Sequence, residues 1–497
     1  MTHSVRCRAA SPWPLGVLTA LLVAAQGCSP KACTGFEVKD PVPMEARKKM
    51  TMEQALARLD AADAWTDHPP LNLPRHPAEK YLEGWVIVLD PGHGGKSLEV
   101  PGWKTGPTGV REAEMNLRVG LMLRELLEDA GAIVGMTRTE ETSKIADDRI
   151  GDYDHGADVD PDDPEGYAEW GTLQRRAHFA NTFPRPDHAR PGGIQDADGV
   201  FRGADLFISL HHNASSRPEA NYTTMWFHGP PEDALVDLDA ARHLAREVGY
   251  ALRTDVGLTS PVMNDQQMYP TGFGVLRHAT VPAVLTESSF FSNPEEEQRL
   301  DDPGYLLREA HAIYRGLCEM AYAGRPTQNL LDTQFSFHDQ PDMSGMGGTG
   351  TSIGRLTVKF KLDDGLPDWW GHDLERTLPS TLSASINEQP PMQTQMRAIE
   401  ETGDHEIALT FMLPLDYTQR AIWHMMKNGS RARGGTVPAD VQLKMEQPIA
   451  SSHILEIKHA NFLKAHNWPQ RYAVELKWQP DAETPEVVSV TPLGAKR

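Results

Sequence analysis

Four side chains in the middle of the chain could together bind a metal ion and move a proton. His93 lies in "DPGHGG", Glu112 follows "GPTGVR", His211 lies in "FISLHHN" and Glu287 lies in "VLTESSF". Two histidines and a glutamate are a recurrent ligand set for catalytic zinc, which also needs one open position. Zinc lowers the pKa of a water molecule, and a separate carboxylate can then accept the proton. These residues therefore predict a catalytic Zn²⁺ site, in which Glu287 suits the role of general base provided that it does not bind the metal.

The segments around these residues alternate between apolar runs of strand length and amphipathic helices. "WVIVLD", "AIVGMTR", "DLFISLHH" and "VPAVLTESSF" are typical of strands, and "EAEMNLRVGLMLRELLEDAG" is typical of a helix that ends at Gly131. This alternation predicts an α/β fold, with a mostly parallel sheet and helices on both faces, that ends near Gly324. Since the carboxyl ends of parallel strands meet at one edge, we expect the four side chains to converge there.

Each residue also has an ordinary structural interpretation when it is taken alone. His93 could be a loop histidine, Glu112 a carboxylate favoured by a helix N-terminus, and Glu287 half of a salt bridge. Their common placement at strand ends and at a helix start favours the site. The glycines around His93 leave room for a sharp turn, and Asp90 could orient a ligand.

Residues from about 85 to 323 resemble the zinc-dependent N-acetylmuramoyl-L-alanine amidases of the amidase type 3 family. "VIVLDPGHGG", "GPTGVREAEMNL", "LQRRAHFAN", "ADLFISLHHNASS" and "VPAVLTESSF" match the motifs of that family in order. The resemblance implies that His93, Glu112 and His211 are the Zn²⁺ ligands and that Glu287 is catalytic. It also implies hydrolysis of the amide between N-acetylmuramic acid and L-alanine in peptidoglycan, with release of stem peptides, and a possible activator protein.

Three features depart from the family pattern, and one of them is Ser288-Ser289, which replaces a common apolar-Gly pair after the glutamate. His212 stands where a small residue is usual. Because adjacent side chains in a strand face opposite ways, we expect His211 to hold the metal and His212 to pack or face solvent, with contact to substrate as the alternative. Insertions at 141–172 and 182–203 lengthen the chain. In some relatives an inserted helix plugs the zinc site until a partner activates the enzyme, so an autoinhibitory insertion is an alternative to a plain surface loop.

The N-terminal segment differs in composition from the rest. Arginines precede the apolar run "WPLGVLTALLVAAQGC", which predicts a lipoprotein-type signal peptide over 1–28 with Cys28 as the lipidated residue. An ordinary signal peptide is the alternative. Residues 29–80 are expected to form a tether, and Ser29 favours the periplasmic face of the outer membrane. No disulfide framework is expected, and Cys318 is interpreted as a buried thiol.

The net charge and the C-terminal region give weaker information about function. The 497 residues carry a formal net charge of −21, which argues against nucleic acid as a partner. After a catalytic domain at 81–324, the composition predicts a linker at 325–352 and a β-rich, sandwich-like domain of unknown role at 353–497. Its "DWWGHD" could stack on carbohydrate or lie in a core. Another zinc peptidase or deacetylase acting on cell-wall material, and a non-catalytic peptidoglycan-binding lipoprotein, remain as alternative functions.

Overall fold

A computed structural model describes most of the predicted catalytic domain and the strands that follow it. It covers residues 51, 54, 71, 73–94, 104–139, 172–195, 200–252, 254, 262–339, 352–366, 382–398, 405–413, 449–461, 463–468, 471–478 and 486–494. The signal segment with Cys28, the acidic insertion and "DWWGHD" lie outside the described residues. Within these ranges, no helix combines the length and the apolar character needed to cross a membrane.

The first half of the chain is built around a six-stranded sheet. Its strands and a small hairpin are β1 (Val86–Pro91), β2 (Ile133–Met136), β3 (Ile194–Gln195), β4 (Phe201–Arg202), β5 (Leu206–Asn213), β6 (Thr224–Phe227), β7 (Val262–Asn264) and β8 (Ala283–Phe290). The sheet order is β2-β1-β5-β8-β6-β7, while β3 pairs with β4. Neighbours in the sheet are parallel except β6 and β8.

Helices cover this sheet. They are α1 (Glu112–Asp129), α2 (Thr172–Thr182), α3 (Leu235–Leu252), α4 (Gly274–Arg277), α5 (Pro294–Leu300) and α6 (Pro303–Tyr322). Every residue of β1 is buried, as expected for a parallel strand that is covered on both faces. The apolar sides of α1, α3 and α6 join the strands in one core, and Cys318 on α6 is buried in it as a free thiol. The predicted α/β fold is confirmed.

The second half is an antiparallel β-sandwich. Its strands are β9 (Thr327–Asp339), β10 (Ser352–Asp363), β11 (Ser383–Ile386), β12 (Gln393–Ala398), β13 (His405–Leu413), β14 (Ile449–Lys458), β15 (Arg471–Trp478) and β16 (Glu486–Gly494). They form two four-stranded sheets, β12-β13-β10-β9 and β11-β14-β15-β16, whose inner residues share one core. Sequence analysis assigned 325–352 to a linker, which was wrong for β9, because that strand pairs with β10 along its length.

The two halves meet at the amino edge of the parallel strands, opposite the edge where β1, β5 and β8 end. Asp205, just before β5, accepts a hydrogen bond from the Val86 backbone N–H and pairs with Arg325. The Arg325 guanidinium lies 4.8 Å from the ring centroid of Trp468, which belongs to the core of the first half. Asn461 donates a 2.8 Å hydrogen bond to the carbonyl of Ala323. The sandwich is therefore docked at the edge opposite the predicted site.

Trp468→Ala is expected to destabilise this junction strongly. Trp468 is 1% exposed, and removing a buried tryptophan side chain costs about 3–5 kcal/mol of unfolding free energy. Urea unfolding followed by circular dichroism measures the loss. Tyr250→Ala, at a position 63% exposed, is the control and should change the unfolding free energy by less than about 0.5 kcal/mol. Equal effects of the two substitutions would contradict the role of Trp468.

Candidate active site

His93, Glu112 and His211 converge at the carboxyl edge of the sheet. His93 Nε2 and His211 Nδ1 each lie 3.1 Å from Glu112 Oε1. The two imidazole rings are perpendicular, with their centroids 4.7 Å apart. One ligand atom from each residue lies within 4.8 Å of the others, which is close enough for all three to hold one ion. The structure thus brings together the three residues that sequence analysis assigned to the metal.

The sheet topology explains this convergence. β1 and β5 are adjacent and parallel, and their connections run to opposite sides: β1 continues through α1 to β2, whereas β5 pairs with β8 on its other side. Such a switch point opens a crevice at the carboxyl edge. His93 follows β1 with a φ of 63°, a left-handed conformation that is sparsely populated and often found at functional sites. A Cβ atom on Gly92 would overlap the His211 ring, so only glycine fits beside that ligand.

Glu112 is placed by the loop before α1. Its backbone N–H donates to the Lys104 carbonyl, and the loop is held by the carboxylate of Glu297 from α5. Glu297 accepts hydrogen bonds from the backbone N–H groups of Thr108, Gly109 and Val110 at 2.8–3.2 Å. Sequence analysis missed Glu297. Its signal was weak, because the glutamate run "PEEE" is also what a helix start ordinarily favours.

Two buried arginines hold the backbone around His93. Arg138 donates to the carbonyls of Pro91 and Gly92 at 2.8 and 3.0 Å, and Arg176 donates to the carbonyl of His93 at 2.9 Å. Arg176 is in turn fixed by Asp90, whose carboxylate it meets at 2.6 Å. Asp90 therefore acts on the loop of His93 through Arg176, rather than on a ligand ring as sequence analysis suggested. Burial acts to raise the pKa of Asp90, but Arg176 and two hydroxyl donors hold it below its usual value.

The protonation states suit a metal site. Burial acts to raise the pKa of Glu112, but His93 and His211 lower it by more, so that it lies well below its usual range. Burial lowers the pKa of His211, which favours the neutral imidazole that metals bind. The second oxygen of Glu112, Oε2, is buried and has no hydrogen-bond partner. This oxygen lies 3.8 Å from the Lys104 ammonium, and a buried carboxylate beside two imidazoles fits a Zn²⁺ ion in both donor type and charge.

Glu287 lies beside this cluster. It occupies the β8 position that is paired with His211 on β5. Burial, and then the negative charge of Glu112, raises the pKa of Glu287 well above its usual range. Its Oε2 atom is buried without a hydrogen-bond partner. The fourth residue of the predicted set is therefore a carboxyl group that the fold leaves poised next to the ligands.

The other expectations about this region have different outcomes. His212 faces away from the ligand cluster and is 2% exposed, so it packs in the interior. In the insertion 182–203, Arg185 pairs with Asp205 and the Arg190 N–H donates to the Gly84 carbonyl. Those contacts lie at the amino edge, so the described part of this insertion does not plug the site. The insertion 141–172 lies outside the described residues, apart from Thr172.

Comparison with known proteins relates part of the chain to amidases. Residues 87–319 match the model of the Amidase_3 family, described as N-acetylmuramoyl-L-alanine amidase. A germination-specific N-acetylmuramoyl-L-alanine amidase of Bacillus subtilis is 26% identical over 257 residues, which are 51% of this chain and 83% of that relative. The amidase AmiA of Escherichia coli is 28% identical over 248 residues, which are 47% of this chain and 74% of AmiA. The CwlD amidase of Clostridioides difficile, solved in complex with the GerS lipoprotein, is 24% identical over 47% of this chain and 97% of its own, with a TM-score of 0.33.

Through residues 87–319, just under half of its length, the chain is similar to the amidase type 3 family. It is by class an N-acetylmuramoyl-L-alanine amidase, an enzyme of peptidoglycan. The match ends before β9, so the β-sandwich lies outside the family domain.

Gly92→Ala is expected to disrupt the ligand cluster without removing a ligand. The added Cβ overlaps the His211 ring, which must move, and displaced ligands typically weaken metal binding by about 10–100-fold. Titration with Zn²⁺ against a competing chelator measures the change. Gly274→Ala is the control, because its Cβ would meet only the side chain of Leu173, which is half exposed and can move. Unchanged zinc affinity in Gly92→Ala would contradict this account of the site.

Proposed function

We propose that the chain hydrolyses the amide between the lactyl group of N-acetylmuramic acid and L-alanine in peptidoglycan, in a zinc-dependent reaction. The observation that carries this proposal is the placement of a separate, partly buried carboxyl group, Glu287, directly beside the cluster of His93, Glu112 and His211. Three ligands and a free carboxylate are what metal-assisted amide hydrolysis requires. Release of stem peptides fits a role in cell-wall remodelling or daughter-cell separation.

His93, Glu112 and His211 would hold the zinc ion, which supplies polarisation of the scissile carbonyl and activation of a water molecule. Glu112 is 1% exposed, whereas the side chains of His93 and His211 keep 18% and 15% of their surface in contact with solvent. The ligand cluster is thus closed below by Glu112 and open on the side of the histidines. An opening of this kind suits a polymeric substrate, whose amide must reach the ligands from outside.

Glu287 carries the proton in this reaction. It accepts a proton from the water molecule as the oxygen of that water forms a bond to the amide carbon. When the C–N bond breaks, Glu287 returns the proton to the nitrogen of L-alanine, so that a free amine and a carboxylic acid leave. Its raised pKa suits this role, because a carboxylate of higher pKa accepts a proton from water more readily than an ordinary one.

We also propose where the enzyme acts. The apolar run before Cys28 supports export and lipidation at Cys28, which would tether the catalytic domain to the membrane through residues 29–80. A location at the periplasmic face of the outer membrane places the site next to peptidoglycan. The CwlD amidase of Clostridioides difficile was solved with a lipoprotein, GerS, bound to it. A protein activator is a corresponding proposal for this chain.

Glu287→Gln and Glu287→Ala are expected to abolish turnover while zinc is retained. Loss of a general acid–base typically lowers the rate by about 10²–10⁴-fold, whereas all three ligands remain. Purified sacculi are digested with the wild type and each variant, and mass spectrometry identifies the released stem peptides. Zinc content is measured on the same preparations.

A chelator arm and a ligand variant complete this experiment. Chelator should stop release by the wild type, and added Zn²⁺ should restore it. His211→Ala should lose the metal together with the activity. Release of products other than stem peptides would favour another zinc peptidase or a deacetylase. Full activity of a metal-free wild type, or of Glu287→Gln, would overturn the mechanism.

A further inference from the structure

The side chain of His212 is clamped between two helices behind the ligand cluster. Its Nδ1 atom lies 2.8 Å from Asn116 Oδ1 on α1, and its Nε2 atom lies 2.9 Å from Glu309 Oε2 on α6. His212, Asn116 and Glu309 are 2%, 0% and 1% exposed. Three polar side chains so deeply buried are costly unless they satisfy one another, as they do here.

This buried network contacts each of the three segments that carry a proposed metal ligand. Asn116 lies one helical turn after Glu112 and donates a 3.2 Å hydrogen bond from Nδ2 to the Gly92 carbonyl, next to His93. The backbone N–H of His212 donates to Glu112 Oε1 at 3.2 Å, and His212 adjoins His211 in β5. The loop of His93, the start of α1 and the end of β5 are thus joined through one imidazole.

The hydrogen bonds on the two sides of the ring make the network rigid. Moving the ring would leave buried polar atoms of Asn116 and Glu309 without their partner, which is costly in the interior. A ring fixed from the α6 side by Glu309 therefore holds Asn116, and with it the backbone of Gly92, in one position.

We propose that His212 is a positioning residue for the metal site. It acts with Glu309 and Asn116 to hold the three ligands in fixed positions relative to one another. The inference rests on the zinc site proposed above. It assigns a role to a residue that stands where the family usually has a small side chain, and it does not make His212 a ligand. Removal of the ring should loosen the geometry of the cluster while leaving every ligand in place.

The test compares His212→Ala, Glu309→Gln and the double variant with the wild type. Apparent zinc dissociation constants are measured by chelator competition, and the visible absorption spectrum is recorded after loading with Co²⁺. Each single variant should bind zinc about 10–100-fold more weakly and show an altered Co²⁺ spectrum. The double variant should lose no more than the larger single effect, because both substitutions break one network. At high Zn²⁺ concentration the metal site of every variant should still be occupied.

Tyr314→Phe is the matched control. Tyr314 lies on α6, the helix that also carries Glu309, but away from the network. The substitution removes its 2.6 Å hydrogen bond to Glu79 and should leave zinc affinity and the Co²⁺ spectrum unchanged. Glu309→Gln keeps the shape of the side chain and carries the test if His212→Ala does not fold. Wild-type affinity and spectra in both network variants would overturn the proposal, as would an equal loss in Tyr314→Phe. A wild type that binds no zinc would instead overturn the metal site itself, and the positioning role with it.

Discussion

The burial of one carboxylate, that of Glu112, is the constraint on which the arrangement of the site depends. A carboxylate that is 1% exposed needs positive or donor groups on several sides. His93 and His211 supply two of them at 3.1 Å, and the backbone N–H of His212 supplies a third. Each of these groups is effective only if the backbone that carries it cannot move. Much of the polar structure around the site serves that requirement.

The groups that fix the backbone come from outside the ligand segments. Arg138 follows β2 and Arg176 lies on α2, yet both donate to carbonyls of the segment that leads into His93. Glu297 on α5 accepts hydrogen bonds from the backbone N–H groups of the loop before Glu112. Glu309 on α6 holds the ring of His212. The catalytic geometry is therefore a product of the assembled α/β domain, because no ligand segment contains its own support.

The sequence predicted the ligand segments but not the groups from other elements that support them. Chain order and residue type placed His93, Glu112 and His211 together, since strand ends and helix starts have recognisable patterns and parallel strands share an edge. The partners of these segments could not be predicted in the same way. Arg176 and Glu309 are separated from their contacts by 83 and 97 residues, and an arginine or glutamate on a helix is ordinarily a surface residue. The linker was misplaced for a related reason: β9 contains "TQNLLDTQ", which becomes a strand through its pairing with β10.

The position of the β-sandwich follows from the same sheet. α6 leaves the carboxyl edge after β8 and α5 and returns the chain to the amino edge, where Gly324 ends the turn and Arg325 inserts between Asp205 and Trp468. The appended domain is therefore attached at the edge away from the ligands, and the described part of the insertion 182–203 packs at that same edge. An enzyme that cleaves a side branch of a polymer needs its ligand edge open along the polymer. Attachment at the amino edge adds a second domain without covering that opening, because the length of α6 separates the two edges.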